Sequence, residues 1–314
     1  MPPLHGPQRG FIRKTEQFVS LKGSQNMRQD QKAFVVTGAS TGIGRAIADR
    51  LVAQGHFVFA SVRKQADADT LNAAFGANGR AVLFDVADEA AILAAAEEVG
   101  KALQGRTLAG LVNNAGIALP GPALIQPMAE IAQVMDVNFM GVVRCCRAFA
   151  PLLGADPARS GPKGRILNIT SVSGKFGYPF TAAYVAAKHA VEGFSDSLRR
   201  ELLLVGIDVI VVGPGAVKTP IWEKGAAVGA NRYGDTIWGK PLEKLTQSLA
   251  AMDQEGLEVG VIADVVEEAL TTSSPKTRYA PVPNKLVNWW LARLLPPRVI
   301  DRFVGKSLAL LPEA

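Results

Sequence analysis

Apolar and polar positions divide the chain into short apolar runs separated by longer stretches with helical spacing. Ala33–Val36, Phe57–Val62, Ala81–Phe84, Leu108–Val112, Arg165–Ile169, Ile207–Val212 and Arg278–Val282 are runs rich in β-branched and apolar residues, as strands buried on both faces of a parallel sheet are. Between them the spacing predicts helices. Ala46, Ile47, Leu51 and Val52 mark one from about Ile43 to Gln54, stopping near Gly55. Ala187, Ala190, Val191, Phe194, Leu198 and Leu202 mark another from Tyr184 to about Leu204, and a third lies near Val261–Leu270. Asp88 is placed to cap the segment that it opens. Alternating strands and helices predict an α/β fold, a doubly wound parallel sheet with helices on both faces. From Pro220 to Gly260 strong periodicity is lost, which predicts a small substrate lobe over about 220–260.

Length and composition add three divisions. With 314 residues and 48% hydrophobic content, the chain can bury one large core. Residues 1–31 are polar and aperiodic and read as a flexible arm, 32–284 as one domain, and 285–314 as an apolar, basic helical extension. Met27, just ahead of the first strand, is an alternative start. The net charge of +6 is carried by the flanks: the chain through Lys32 has a balance of +4 and that from Lys276 onward +5, leaving −3 for the body. Without a nucleic-acid motif this distribution argues against nucleic acid as a partner. Cys145 and Cys146 are adjacent, a poor geometry for a mutual disulfide, and read as reduced thiols. No apolar signal segment or run of about eighteen apolar residues is present, so a cytoplasmic protein is expected.

Chemistry enters where the first strand ends. Thr37-Gly38-Ala39-Ser40-Thr41-Gly42-Ile43-Gly44 joins strand to helix, and glycines at 38, 42 and 44 let the backbone approach a pyrophosphate whose charge meets the free N–H groups of the helix start. Ser40, Thr41 and Ile43 belong to the same cradle, which gives the fold its Rossmann type. After the second strand, dinucleotide sites that prefer NAD carry an acid for the ribose hydroxyls. Here Val62, Arg63 and Lys64 follow, favouring the 2′-phosphate of NADP(H), with NAD(H) possible. Asp85-Val86, after the third strand, is a candidate for the adenine end. The fourth strand opens into Asn113-Asn114-Ala115-Gly116, whose amides fix loops, contact a cofactor, or do both.

Tyr184 and Lys188 lie one helical turn apart and project from one wall. A neighbouring ammonium favours a phenolate, so the pair can tune a tyrosine for proton transfer. Ser171 closes the fifth strand at the sheet's carboxyl edge, where it can hydrogen-bond the same substrate oxygen; Ser173 is its one competitor. Each residue has a plainer explanation alone: a turn cap for Ser171, a helix kink for Asn138, a surface charge for Lys188. Together, Gly38/Gly42/Gly44, Asn113–Gly116, Asn138, Ser171, Tyr184-x-x-x-Lys188 and Pro214-Gly215 resemble the short-chain dehydrogenase/reductase family, closely from Ala33 to Thr219. The resemblance implies hydride transfer between a nicotinamide cofactor and an alcohol or carbonyl. It implies Tyr184 as acid/base, Lys188 also on the nicotinamide ribose, and Asn138 holding a water that links Lys188 to solvent. Pro214, Gly215, Val217 and Thr219 are placed at the nicotinamide, and no metal is implied.

The tryptophans, Trp222, Trp238, Trp289 and Trp290, all follow Thr219. They suggest a bulky, lipophilic alcohol or ketone such as a steroid or retinoid, or else they fill the small lobe. The resemblance implies a homodimer or homotetramer assembled through the helix of Tyr184. The basic, aromatic C-terminal extension covers a partner subunit or an exposed face, with peripheral membrane contact the alternative. A non-catalytic NADP(H)-binding redox sensor is the competing function, although it would not need Asn138, Ser171, Tyr184 and Lys188 together.

Overall fold

The computed structural model describes residues 27–221, 232–283 and 295–312. Along the chain the elements are β1 (Ala33–Val36), α1 (Gly42–Ala53), β2 (Phe57–Val62), α2 (Gln65–Phe75), β3 (Gly79–Leu83), α3 (Glu89–Ala102), β4 (Gly110–Asn113) and α4 (Met128–Met135). They continue with α5 (Gly141–Phe149), β5 (Arg165–Ile169), α6 (Ala182–Glu201), β6 (Asp208–Val212), α7 (Gly239–Glu255), α8 (Val259–Thr271), β7 (Arg278–Tyr279) and α9 (Pro297–Ser307). The strands form one sheet in the order β3-β2-β1-β4-β5-β6-β7, every pair parallel.

Side chains of β1 alternate between two cores, as the period of a strand demands. Ala33 and Val35 join Ile92, Val99, Cys145, Phe149 and Val191, so α3, α5 and α6 cover that face. Phe34 and Val36 join Ile47, Leu51, Leu71, Ile262 and Val266 of α1, α2 and α8 on the other. This is the doubly wound, Rossmann-type arrangement expected from the alternation. Both cysteine thiols are free and buried, and burial pushes them up, Cys146 to about 12, so neither is a reactive thiolate at neutral pH.

Three boundaries differ from the sequence reading. Residues 27–31, which composition places in the arm, are fastened to the domain: Met27 packs on the core, and Gln31 donates to the Gly55 carbonyl and to Asn78 at 2.9 Å each. The rest of the arm lies outside the described residues, as do Trp222, Trp289 and Trp290. Helix α7 lies where periodicity looked weak, because Leu242, Leu245 and Leu249 give it a narrow apolar stripe. That stripe packs with Phe180, Tyr233 and Leu308 in a separate small core. Trp238 lines this core, so this tryptophan fills the lobe. Strand β7 stops at Tyr279, since Pro281 and Pro283 have no N–H for the ladder.

Candidate active site

All of the sequence-derived positions lie in the loops at, or on the elements beside, the carboxyl edge of the sheet, and the strand order reverses between β1 and β4. An open α/β sheet offers its ligand crevice there. A cleft of about 410 Å3 occupies that place, lined by Gly38, Ser40, Thr41, Gly42, Ile43, Arg63, Asp85, Val86, Asn114, Ala115, Gly116 and Thr219 among the residues singled out above. The glycine turn is shaped by necessity. Gly38 has φ +64° and a Cβ on it would lie 2.8 Å from Ala115 Cα, while Gly42 has φ +60°. Thr41 makes no side-chain cap and the first turn of α1 carries no acid. The helix start therefore keeps unsatisfied N–H groups for an anion. These features fit the pyrophosphate of a dinucleotide.

Asn114 explains the rigidity of this cradle. Its Nδ2 donates to the carbonyls of Thr37 at 2.9 Å and Gly38 at 3.1 Å, and the Asn114 and Ala115 N–H groups donate to Thr37 Oγ1. Asn113 is buried and donates to Asn168 Oδ1 at 2.8 Å and to Cys146 Sγ at 3.3 Å. The first of the two amides thus faces the core and the second fixes the loop.

At the other end of the cleft Arg63 Nη1 lies 3.4 Å from Asp85 Oδ2. Both side chains are exposed, so the pair is weak and a ligand can recruit the guanidinium. Lys64 starts α2 as its N-cap residue and does not line the cleft. Pro214, Gly215 and Val217 also stay out of the lining: the Pro214 carbonyl accepts from Val172 N, Gly215 N donates to the Pro281 carbonyl, and Val217 is packed in the core.

Tyr184, Lys188 and Ser171 come together beside this cleft. Tyr184 and Lys188, 8% and 5% exposed, lie on the buried face of α6. The Ser171 hydroxyl lies beside that of Tyr184 and favours its phenolate. Ser171 Oγ accepts from Ser173 N at 3.1 Å, capping the 3-10 turn Val172–Gly174, so the turn cap is present and leaves Ser171 beside Tyr184. Lys188 Nζ donates to the Ile169 carbonyl at 2.9 Å and lies 5.5 Å from the Tyr184 ring centre. Burial pushes the phenol up to about 12, against the smaller lowering by Ser171, and pushes the lysine down to about 8. This reverses the expectation that the ammonium lowers the phenol. Desolvation penalises both charged forms and outweighs their mutual attraction.

Asn138 occupies a π-helical turn, Asp136–Met140, between α4 and α5, and is fully buried. Its Oδ1 accepts from Ile117 N and its Nδ2 donates to the Ile117 carbonyl, both at 2.8 Å. The side chain therefore clamps the loop after β4. The sequence reading missed Ser61, Phe84, Ile117–Leu119, Gln133, Val137, Pro220 and Ile221 in the cleft wall. The only signal was their position just after or beside strand ends, which many core residues share.

Comparison with known proteins agrees with this geometry. The sequence profile described as short chain dehydrogenase matches residues 32–227. An NADPH-dependent 3-dehydrocapnine reductase of Ornithobacterium rhinotracheale is 37% identical over 89% of this chain and 98% of that protein. Retinol dehydrogenase 7 of Rattus norvegicus is 31% identical over 80% of each. The structure of a short chain dehydrogenase/reductase from Burkholderia phymatum in complex with NAD superposes with TM-score 0.70 at 26% identity, covering 88% of this chain and 95% of that one.

Proposed function

The chain belongs to the short-chain dehydrogenase/reductase family, and from that membership we propose an NADP(H)-dependent oxidoreductase that interconverts an alcohol and its carbonyl compound, with Tyr184 as the acid/base. The observation that carries this reading is the Ser171 hydroxyl beside that of Tyr184, with Lys188 on the same buried helix face, next to a glycine-turn cleft. Bound nicotinamide supplies the hydride. Gly38, Gly42 and Gly44 admit the pyrophosphate to the start of α1, and Arg63 meets the 2′-phosphate. NADP(H) is favoured and NAD(H) possible, a preference supported by the NADPH-dependent relative and by the absence of an acid after β2.

For reduction, Ser171 orients the carbonyl oxygen and Tyr184 donates its phenolic proton to it. Lys188 binds the ribose hydroxyls and stabilises the phenolate left behind. Asn138 clamps Ile117, so the carbonyls loosened in its π-helical turn, rather than its amide, are the groups assigned to the water between Lys188 and solvent. A lipophilic substrate is supported by the apolar setting of Tyr184: Ile117, Ala118, Leu119, Val134 and Ile221 pack around it. Turnover across a panel of ketones and lipophilic alcohols with both cofactors tests the proposal. Intact cofactor binding without any turnover would favour a redox sensor instead.

The two buried groups set opposite pH limits. Lys188 holds its proton only below about 8, while Tyr184 stays protonated up to about 12 in the cofactor-free protein. The reductive kcat/KM for NADPH is expected to be flat in the neutral range and to fall as pH rises through about 8 with loss of the ammonium. Alcohol oxidation needs phenolate with ammonium, so it should rise with pH and level off at about 8, where further gain of one offsets loss of the other. Steady-state profiles in both directions check this, and identical profiles would contradict it.

Family membership also carries the proposal of a homodimer or homotetramer. A second partner is favoured by α9, where Val299 and Phe303, with Leu295 just ahead of the helix, are exposed and Arg298, Arg302 and Lys306 run beside them. This basic, apolar face complements an anionic bilayer surface. Among the described residues no helix is long and apolar enough to cross a membrane, so contact would be peripheral. Full-length protein is expected to co-sediment with phosphatidylglycerol vesicles but not with phosphatidylcholine ones, and Arg298→Glu/Arg302→Glu to lose binding. Equal partitioning of that variant would end this reading.

A further inference from the structure

Glu192 follows Lys188 by one turn on the buried face of α6 and is 2% exposed. Its Oε1 accepts from Thr170 Oγ1 at 2.8 Å and from Arg278 Nη1 at 2.7 Å. Its Oε2 pairs with Arg278 Nη2 and lies 3.3 Å from Lys175 Nζ. These partners come from both sides of the serine: Thr170 immediately precedes Ser171, and Lys175 closes the turn that Ser171 caps. Arg278 reaches in from β7, the edge strand paired with β6. Gly174, between Ser171 and Lys175, lies so close that a Cβ would meet Glu192 Cγ at 2.9 Å.

An ion cluster this deep is a poor device for stability. The cost of desolvating its charges consumes much of their attraction, and well-packed apolar residues often do as well. It does impose one geometry, because a buried carboxylate tolerates few arrangements of its donors. Nor does it serve Lys188 electrostatically: the downward push on that amine comes from burial, and two cations neutralise Glu192 locally. What the cluster joins is the chain flanking Ser171 to the helix that carries Tyr184.

We propose that Glu192 is a positioning residue, whose carboxylate, through Thr170, Lys175 and Arg278, holds the Ser171 hydroxyl in hydrogen-bonding register with Tyr184. This rests on the reductase reading above. Three consequences separate positioning from general support of the fold. Substituting Glu192, which does not line the cleft, should lower kcat while the affinity for NADPH stays near native. The loss should be larger in kcat than in KM. And Ser171 should matter less once Glu192 is altered, because a serine out of register gives less to lose.

The experiment is a double-mutant cycle in the full chain with Glu192→Gln and Ser171→Ala, using a carbonyl substrate that the native protein reduces. Ser171→Ala alone is expected to cost on the order of a hundredfold to a thousandfold in kcat. Glu192→Gln alone should cost on the order of tenfold to a hundredfold, with the NADPH dissociation constant from fluorescence titration unchanged. In the Glu192→Gln background, Ser171→Ala should then cost only about tenfold. If Glu192→Gln does not fold, Thr170→Val severs the tie next to Ser171 and takes its place in the cycle. Additive losses, or a fall in NADPH affinity that accounts for the whole effect, would overturn the proposal. A native protein that binds NADPH but reduces nothing in the panel overturns the reductase reading itself, and the positioning role with it.

Discussion

Replacing Tyr184 with phenylalanine is expected to lower turnover by about a hundredfold to ten-thousandfold while NADPH binding stays largely unchanged. The substitution removes one hydroxyl from a side chain that is almost fully buried and otherwise packed among Ala118, Val134, Ala183 and Ala187. The ring keeps its place, so the fold and the cofactor cleft keep theirs. The reaction loses its proton donor, and Ser171 loses its partner at the position assigned to the carbonyl oxygen. No neighbouring group can take over: the Lys188 amine is directed at the Ile169 carbonyl, and Ser173 bonds Ser171 through its backbone. Stopped-flow and steady-state rates of NADPH oxidation, with cofactor titration by fluorescence, measure the two halves of the prediction. Activity retained in the variant would remove Tyr184 from the role of acid.

Arg63→Ala is expected to weaken NADPH binding by about tenfold to a hundredfold, the worth of a charge-assisted contact of about 1.5–3 kcal/mol. NADH binding should change little. Arg63 is exposed at the rim of the cleft and, among the described residues, pairs with Asp85 at 3.4 Å. Deleting it also leaves the Asp85 carboxylate uncompensated there, which repels a 2′-phosphate, so both effects carry the same sign. Lys64 does not line the cleft and does not compensate. Dissociation constants for the two cofactors, measured on native and variant protein at one ionic strength, give the ratio. An unchanged preference would contradict the phosphate role of Arg63.

Much of the site was legible in the sequence because its parts are local. A backbone that must turn with positive φ and come close to another chain segment leaves glycine at 38 and 42, and the apolar run before it marks the strand. Two residues four apart on a helix share a face whatever surrounds them, so Tyr184 and Lys188 could be paired before any fold was known. Strand ends gave Ser171, Asp85 and Asn113 their common edge. In α7, by contrast, three leucines among polar residues make a weak signal. They specify a helix only because Phe180 and Leu308, distant in sequence, supply the surface they bury against.

The sequence by itself therefore determined the layer order, the glycine turn of the cleft and the pairing of Tyr184 with Lys188 on one helix face, since each follows from backbone geometry or helical period. Only the tertiary structure decided the electrostatics. The phenol of Tyr184 is pushed up to about 12 instead of down because residues from separate segments exclude water from it, and desolvation is a property of the packed neighbourhood that residue spacing cannot encode. The same holds for Glu192. Along the chain it is one more charge on a helix; folded, it meets Thr170, Lys175 and Arg278 at the centre of the site's support.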